Sequence, residues 1–86
     1  MRFQTTERFE KSMRKLPVGV RNKFYKQLSL LLRNPRHPSL HTKKIKGADG
    51  IWEVRVDDHY RFTFSQDEDL ITLRVVGHHD DVLKKP

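Results

Sequence analysis

The sequence predicts an α+β fold with the element order β-α-α-β-β-β, in which a helical hairpin lies across an antiparallel meander. Residues 50–77 form the meander, because three short runs rich in β-branched and aromatic residues are separated by polar turns at 57–59 and 65–69. Apolar residues recur at helical spacing between positions 9 and 31, which predicts the helices. We expect one domain over residues 1–86.

The first half of the chain divides into a strand and two helices. Residues 2–5 can form a strand, and Thr6 is a favourable N-cap for the helix that follows. Pro17 ends this helix and can open the second, which runs to Asn34. The helices present apolar stripes to the core, formed by Phe9, Met13 and Leu16 and by Val20, Phe24, Leu28 and Leu31.

Alternation in the meander assigns its side chains to two faces, since neighbouring strand residues point in opposite directions. The inward set comprises Trp52, Val54, Val56, Tyr60, Phe62, Phe64, Ile71, Leu73 and Val75. With this set inward, Arg55, Arg61 and Arg74 share the opposite, open face, which we call the arginine face. Such a surface suits a polyanion. Trp52 could instead stack on a base, but its alternation favours core packing.

Charge and composition restrict the classes of function. The net charge is +7, and residues 1–46 hold 13 Lys or Arg against 2 Asp or Glu, whereas residues 47–86 hold 5 against 9. A basic half of this kind attracts phosphate backbones, unless its cations merely solvate exposed helix faces. The lack of cysteine excludes disulfides and zinc thiolate sites. Without a long apolar run or a signal segment, we expect a soluble, cytoplasmic protein with no membrane partner.

Several segments carry a family resemblance that covers nearly the whole chain. They are Lys44-Ile45-Lys46-Gly47, Trp52-Glu53-Val54-Arg55-Val56, Tyr60-Arg61-Phe62 and Gly77-His78-His79-Asp80-Asp81. In this arrangement the chain resembles the RelE/ParE superfamily of type II toxin–antitoxin toxins. The resemblance implies a microbial RNase-like fold, with a helical pair packed on a four-stranded antiparallel sheet. In members that cut mRNA on the ribosome, the concave sheet face holds the active site.

The resemblance also implies site residues. Arg55 and Arg61 match strand positions where RelE-type enzymes carry basic residues. His79 matches an arginine of RelE and the histidine of a Gly-x-His-x-Asp segment in related nucleases. His59 lies in the turn where some relatives carry a catalytic aspartate.

Some positions depart from the RelE pattern. Glu53 stands where RelE has a lysine, and Leu83 replaces a tyrosine, so any chemistry would be histidine-led. We further expect residues 78–83 to form a short polar tail, without the C-terminal helix of some members.

Cleaving RNA without a metal requires a base for the 2′-OH, an acid for the leaving 5′-oxygen and fixed cations on the phosphate. We therefore expect Arg55 and Arg61 to stabilise the phosphate. His79 would act as the general base or acid, and His59 could be the other member of this acid–base pair. RNA contacts are expected from Lys43, Lys44, Lys46, Arg74 and His78. Alternatively, the arginines form surface salt bridges with Glu53 or Asp57. His59 could likewise be a turn residue without a catalytic role. No metal or other cofactor is expected, because adjacent histidines on extended backbone point apart.

The predicted function is a type II toxin that acts as a ribosome-dependent endoribonuclease on translated mRNA. Its partners would be the ribosome, the mRNA and a separately encoded antitoxin. One alternative is a ParE-like protein that inhibits DNA gyrase without catalysis, and another is an inactive relative that only binds its partner. The histidines beside the arginine face favour the nuclease, since a gyrase inhibitor does not need them.

Overall fold

The computed structural model of the protein describes residues 1–86. A mixed five-stranded sheet forms the frame of the molecule. The strands are β1 (Arg2–Thr5), β2 (Lys43–Lys44), β3 (Ile51–Arg55), β4 (Tyr60–Asp67) and β5 (Leu70–His78). The helices are α1 (Glu7–Arg14), α2 (Val18–Arg33) and α3 (His79–Lys84), and a 3₁₀ turn spans Pro38–Leu40. The strands lie in the order β1-β5-β4-β3-β2.

The predicted fold class is confirmed, with two differences in the sheet. β1 pairs with β5 in parallel, so the sheet is mixed rather than antiparallel. The short strand β2 adds a fifth, edge strand that pairs with β3. Both differences concern strands that no tight turn joins to the meander. The direction of such a pair is set by tertiary packing, which sequence alternation does not report.

The start of α1 is fixed by the predicted cap. The Thr6 hydroxyl accepts a hydrogen bond from the backbone N–H of Phe9 at 3.0 Å and donates to the carbonyl oxygen of Arg74 at 3.1 Å. Thr6 therefore joins the helix end to β5. Pro17 directly precedes α2, as predicted. No helix here has both the length and the apolar surface that a bilayer requires of a spanning segment.

The core lies between the helical hairpin and the sheet. Phe24 is at its centre, with ring centroids 5.5 Å from Phe9 and 5.0 Å from Phe62. The 3₁₀ turn adds Leu40, which is fully buried. The predicted apolar stripes face this core, which confirms the helices that the spacing predicts.

A β-bulge shifts the register between β4 and β5. Thr63 lies opposite Val75, whereas the next residue, Phe64, lies opposite Leu73, so Arg74 is the extra residue. Beyond the bulge, Val76 joins the core cluster and Val75 shares the arginine face with Thr63. The prediction that Val75 points inward is therefore wrong, because one inserted residue reverses the alternation.

The C-terminal residues form a helix, so the expected polar tail is wrong. α3 starts directly after β5, and the His78 side chain accepts a hydrogen bond from the backbone N–H of Asp80. Val82 is the only fully buried residue of α3, and a Cβ atom at Gly77 would lie 3.5 Å from it. This single apolar anchor holds six residues against β4 and β5.

The Thr6 cap can be tested by substitution. Thr6→Ala should lower the free energy of unfolding by about 1 kcal/mol, because an orphan N–H of α1 loses its acceptor. Urea denaturation followed by circular dichroism measures this change. Thr5→Ala is the matched control, since the Thr5 hydroxyl contacts only the exposed Glu10 side chain. Equal losses in the two variants would contradict a capping role.

Candidate active site

Two arginines lie side by side on the arginine face. Arg55 of β3 is directly opposite Arg61 of β4 in the antiparallel register. Like charges at this position repel, so each guanidinium needs acceptors. Arg55 forms an ion pair with Asp58, while Arg61 donates to the carbonyl oxygens of Asp57 and Tyr60. The β3–β4 turn thus holds both cations in place.

The turn itself depends on Asp57. Its carboxylate accepts hydrogen bonds from the backbone N–H groups of His59 at 2.8 Å and Tyr60 at 2.9 Å, and lies 3.3 Å from the Lys23 ammonium. Burial alone would raise the pKa of this carboxyl, but those two N–H groups and Lys23 outweigh it, so the pKa lies below its ordinary value. Ionised Asp57 therefore stabilises the folded turn.

Asp57 should make stability depend on pH in a defined direction. A carboxyl with a lowered folded pKa stabilises the fold above its unfolded pKa of about 3.9, and this contribution is lost as pH falls through the folded pKa. Asp57→Asn should cost about 1 kcal/mol of unfolding free energy at neutral pH and progressively less below about pH 4. Urea denaturation over this range measures the difference. Asp49→Asn, at an exposed residue, is the control, and a pH-independent cost of Asp57→Asn would refute the assignment.

Three histidines and a tyrosine gather where β4 starts and β5 ends. We call this group, His59, Tyr60, His78 and His79, the histidine corner. The His59 and His78 rings are stacked with centroids 6.3 Å apart, and the Tyr60 ring lies edge-on to His78 at 5.8 Å. The backbone N–H of His79 donates to the carbonyl oxygen of His59 at 2.8 Å. The chain thus brings all three histidines to the end of the strand that carries Arg61.

The two neighbouring histidines make different contacts. His78 caps α3 and stacks on His59, whereas Nδ1 of His79 lies 3.1 Å from Oδ1 of Asp80. The sequence pairs His59 with His79 as acid and base, but in the structure the imidazole that stacks on His59 is that of His78. The cause is the change from strand to helix between these residues, which turns their side chains in different directions.

Arg74 lies on the same face as the other arginines, but its surroundings are closed. Its Nε donates to the carbonyl oxygen of Pro86 at 3.2 Å, and the buried Thr63 hydroxyl donates to the same oxygen at 3.0 Å. The guanidinium of Arg8 donates to the carbonyl oxygen of Lys85. The expectation of an open face is therefore wrong around Arg74, since residues after α3 lie over it.

The predicted lysine contacts divide between the two faces of the sheet. Lys43 lies 3.2 Å from Glu53 on the arginine face, whereas the Lys44 ammonium lies 5.4 Å from the centre of the Trp52 ring on the helix face. Lys46 is exposed in the loop before β3. Lys43 is therefore on the same side of the sheet as the arginine pair, and Lys44 is on the other side.

Glu53 is the buried charge of the arginine face. Its side chain is 3% exposed; Oε1 pairs with Lys43, and Oε2 has no hydrogen-bond partner. Neither arginine binds it, so the salt bridge between Glu53 and the arginines, which the sequence left open, does not form. No group of three or more His, Asp and Glu side chains converges as metal ligands do.

The groups that position the arginines were not predicted from the sequence. Asp58 and the two turn carbonyls hold Arg55 and Arg61, and Lys23 of α2 reaches the turn through Asp57. The available signal was the pair of aspartates in the turn, since an Asp side chain often bonds the backbone N–H two residues ahead. Nothing local indicated that Lys23 would meet them.

Comparison with known proteins gives a family and a fold. The family model Phage derived protein Gp49-like (DUF891) matches residues 11–77. No curated protein sequence shows a significant match to the chain.

Solved structures of toxins are similar over nearly the whole chain. A chain of the RelB–RelE antitoxin–toxin complex from Methanococcus jannaschii is 22% identical, with 100% of both chains covered and a TM-score of 0.75. A chain of the intact RelBE complex from E. coli is 24% identical, with 90% of this chain and 94% of that chain covered and a TM-score of 0.72. YafQ from E. coli strain BL21(DE3) is 16% identical, with 95% and 98% covered and a TM-score of 0.78. These similarities confirm the RelE-type fold.

Proposed function

This chain belongs to the Gp49-like family of phage-derived proteins, and we propose that it is the toxin of a type II toxin–antitoxin pair that cleaves translated mRNA on the ribosome. The proposal includes action in the cytoplasm, where ribosomes translate. One observation carries it: Arg55 and Arg61 are paired across β3 and β4, and the histidine corner begins two residues from Arg61, at the end of β4 where Tyr60 and His78 face the helices. Together they supply the cations and the proton-transfer groups that metal-free RNA cleavage requires.

The arginine pair would bind the scissile phosphate. Because Asp58 and the turn carbonyls already orient both guanidiniums, little reorganisation is needed when charge develops on the phosphoryl oxygens. Attack of the 2′-oxygen forms a cyclic phosphate and breaks the bond to the 5′-oxygen. The arginines stabilise the additional negative charge during this step.

The histidine corner would move the protons. When Nδ1 of His79 carries a proton that it donates to Asp80, Nε2 is free to accept the proton of the 2′-OH. A protonated His59 then supplies the proton that the leaving 5′-oxygen takes. His78 is committed to capping α3 and to stacking on His59, so we assign it to positioning and RNA contact rather than to proton transfer.

An antitoxin and the ribosome would be the partners. Structural neighbours of this chain include the RelB–RelE complex and the DinJ–YafQ toxin–antitoxin complex of E. coli, and we extend an antitoxin partner to this chain by that similarity. The outward surfaces of α1 and α2 carry the lysines and arginines that would contact ribosomal RNA. None of the similar structures described above is a gyrase inhibitor, so the gyrase alternative gains no support.

The proposal is tested by controlled expression followed by primer extension on translated mRNAs. Wild type should produce new 5′ ends within translated regions, and His79→Ala should reduce them by about 10²–10⁴-fold, the usual contribution of a general acid or base. His37→Ala is a matched control, since His37 lies in the loop before the 3₁₀ turn. Intact mRNA together with DNA breaks bound to gyrase would refute the nuclease proposal. Full cleavage by His79→Ala would refute the role of His79.

A further inference from the structure

Gln27 is the one polar residue among those that α2 buries. It is 8% exposed and lies on the core side of the helix, three residues after Phe24 and four before Leu31, both of which are buried. A buried amide costs free energy unless it is hydrogen-bonded. The hydrogen-bond partners of Gln27 therefore indicate its role.

Both partners of the Gln27 amide are backbone carbonyl groups outside α2. Its Nε2 donates to the carbonyl oxygen of Arg55 at 2.8 Å and to that of Ser39 at 3.2 Å. Since a carbonyl oxygen only accepts, it is the NH₂ group of the side chain that faces these two oxygens. Gln27 thus joins α2 to the end of β3 and to the 3₁₀ turn.

The carbonyl group of Arg55 needs such a donor because β2 ends before it could provide one. β2 pairs with β3 through Lys43 and Lys44 only. The residues before Lys43 include the 3₁₀ turn, and His41 has a left-handed backbone with φ of 46°, so the chain there is not extended. No strand lies beside Arg55 at this edge of the sheet, and the Gln27 amide takes the place of the missing partner.

α2 makes a second contact with the same part of the chain. Lys23 lies four residues before Gln27, which puts both side chains on one face of the helix. The Lys23 ammonium lies 3.3 Å from Asp57. α2 therefore holds the backbone at Arg55 and the turn at Asp57, and the Arg55 guanidinium extends from this fixed segment to pair with Asp58.

We propose that Gln27 is a positioning residue of the candidate active site. By holding the backbone of Arg55, it fixes the place where the Arg55 guanidinium meets the phosphate, opposite Arg61. Gln27 itself is buried and acts only through Arg55. The inference rests on the proposed function, since it concerns the rate of RNA cleavage.

The test compares Gln27→Met with wild type in single-turnover cleavage of ribosome-bound mRNA. Methionine has a similar length and fills the buried space, but it donates no hydrogen bond. The rate should fall about 10–100-fold, because a displacement of about 1 Å at a positioned group can cost about 10²-fold. Gln4→Met is the matched control. Gln4 is exposed on β1 and donates to the Thr72 hydroxyl, so its rate should stay within about 2-fold of wild type.

An Arg55→Ala background separates positioning from folding. The backbone carbonyl remains in this variant, so adding Gln27→Met should lower the urea midpoint as much as it does in wild type. Arg61 and the histidine corner also remain and should leave residual cleavage. Gln27→Met should not reduce this residual rate further, since no guanidinium is left to misplace. All rates are measured with trimethylamine N-oxide, which keeps destabilised variants folded.

The outcomes distinguish this inference from the proposed function. A wild-type rate in Gln27→Met overturns the inference and leaves the nuclease proposal intact. An equal loss of rate in the wild-type and Arg55→Ala backgrounds also overturns it, because Gln27 would then act on the fold as a whole. Absence of cleavage by wild type refutes the nuclease proposal and the inference together.

Discussion

Arg61→Ala is expected to reduce the rate of mRNA cleavage by about 10²–10³-fold, the usual loss when one stabiliser of transition-state charge is removed. The loss should be large because Arg61 is held by the carbonyl oxygens of Asp57 and Tyr60 before RNA arrives. Arg61→Lys should recover only part of the rate, since an ammonium cannot reproduce the planar, two-point contact of a guanidinium. Single-turnover cleavage of ribosome-bound mRNA measures these rates.

A matched arginine elsewhere on the sheet provides the control. Arg2 is an exposed residue of β1 that pairs with Asp69 and is distant in the strand order from the β3–β4 pair. Arg2→Ala should therefore leave the cleavage rate within about 2-fold of wild type. Thermal unfolding followed by circular dichroism checks that the variants are folded. A folded Arg61→Ala protein with the wild-type rate would remove Arg61 from the mechanism.

The arginine pair is the part of the candidate site that the sequence predicted best. Strict alternation in residues 52–56 and 60–64 assigns both arginines to one face, and a short turn brings them opposite each other. These relations depend on local pattern alone.

Features that depend on one residue or one contact were not predictable. The bulge at Arg74 has no glycine or proline to signal it, yet it reverses the faces of Val75 and Val76. α3 has six residues and one buried apolar side chain, which is too little for a periodicity signal. The contacts of His78 and His79 depend on where β5 ends and α3 begins. A shift of that boundary by one residue would put His79 in the position that His78 occupies.

The partial covering of the arginine face by the residues after α3 also depends on single contacts, so it was not predictable from the sequence. The sequence indicates that Thr63 points away from the helices but not that Pro86 lies over it and over Arg74. Long-range contacts of this kind are set by the packing of α3. As a result, Thr63 and Arg74 are covered, whereas Arg55 and Arg61 remain partly exposed.

The largest expected effect on stability is that of Phe24→Ala. Phe24 is 1% exposed and contacts the rings of Phe9 and Phe62, so its removal leaves a cavity between the hairpin and the sheet. The expected loss of unfolding free energy is about 3–5 kcal/mol, compared with a total of about 5–15 kcal/mol for a small domain. Urea denaturation measures the loss, and Phe3→Ala, at a residue that is 47% exposed, is the control. Equal effects of the two changes would show that the core is not centred on Phe24.

Core stability and catalysis can then be separated in one experiment. Phe62 lies between Arg61 and Thr63 on β4, so loosening the core around Phe24 should reduce activity by lowering the folded fraction. An excluded osmolyte such as trimethylamine N-oxide favours the folded state and should restore cleavage by Phe24→Ala. It should not restore cleavage by Arg61→Ala, which is folded but lacks a cation at the phosphate. Rescue of both variants would mean that Arg61 acts on folding rather than on the reaction.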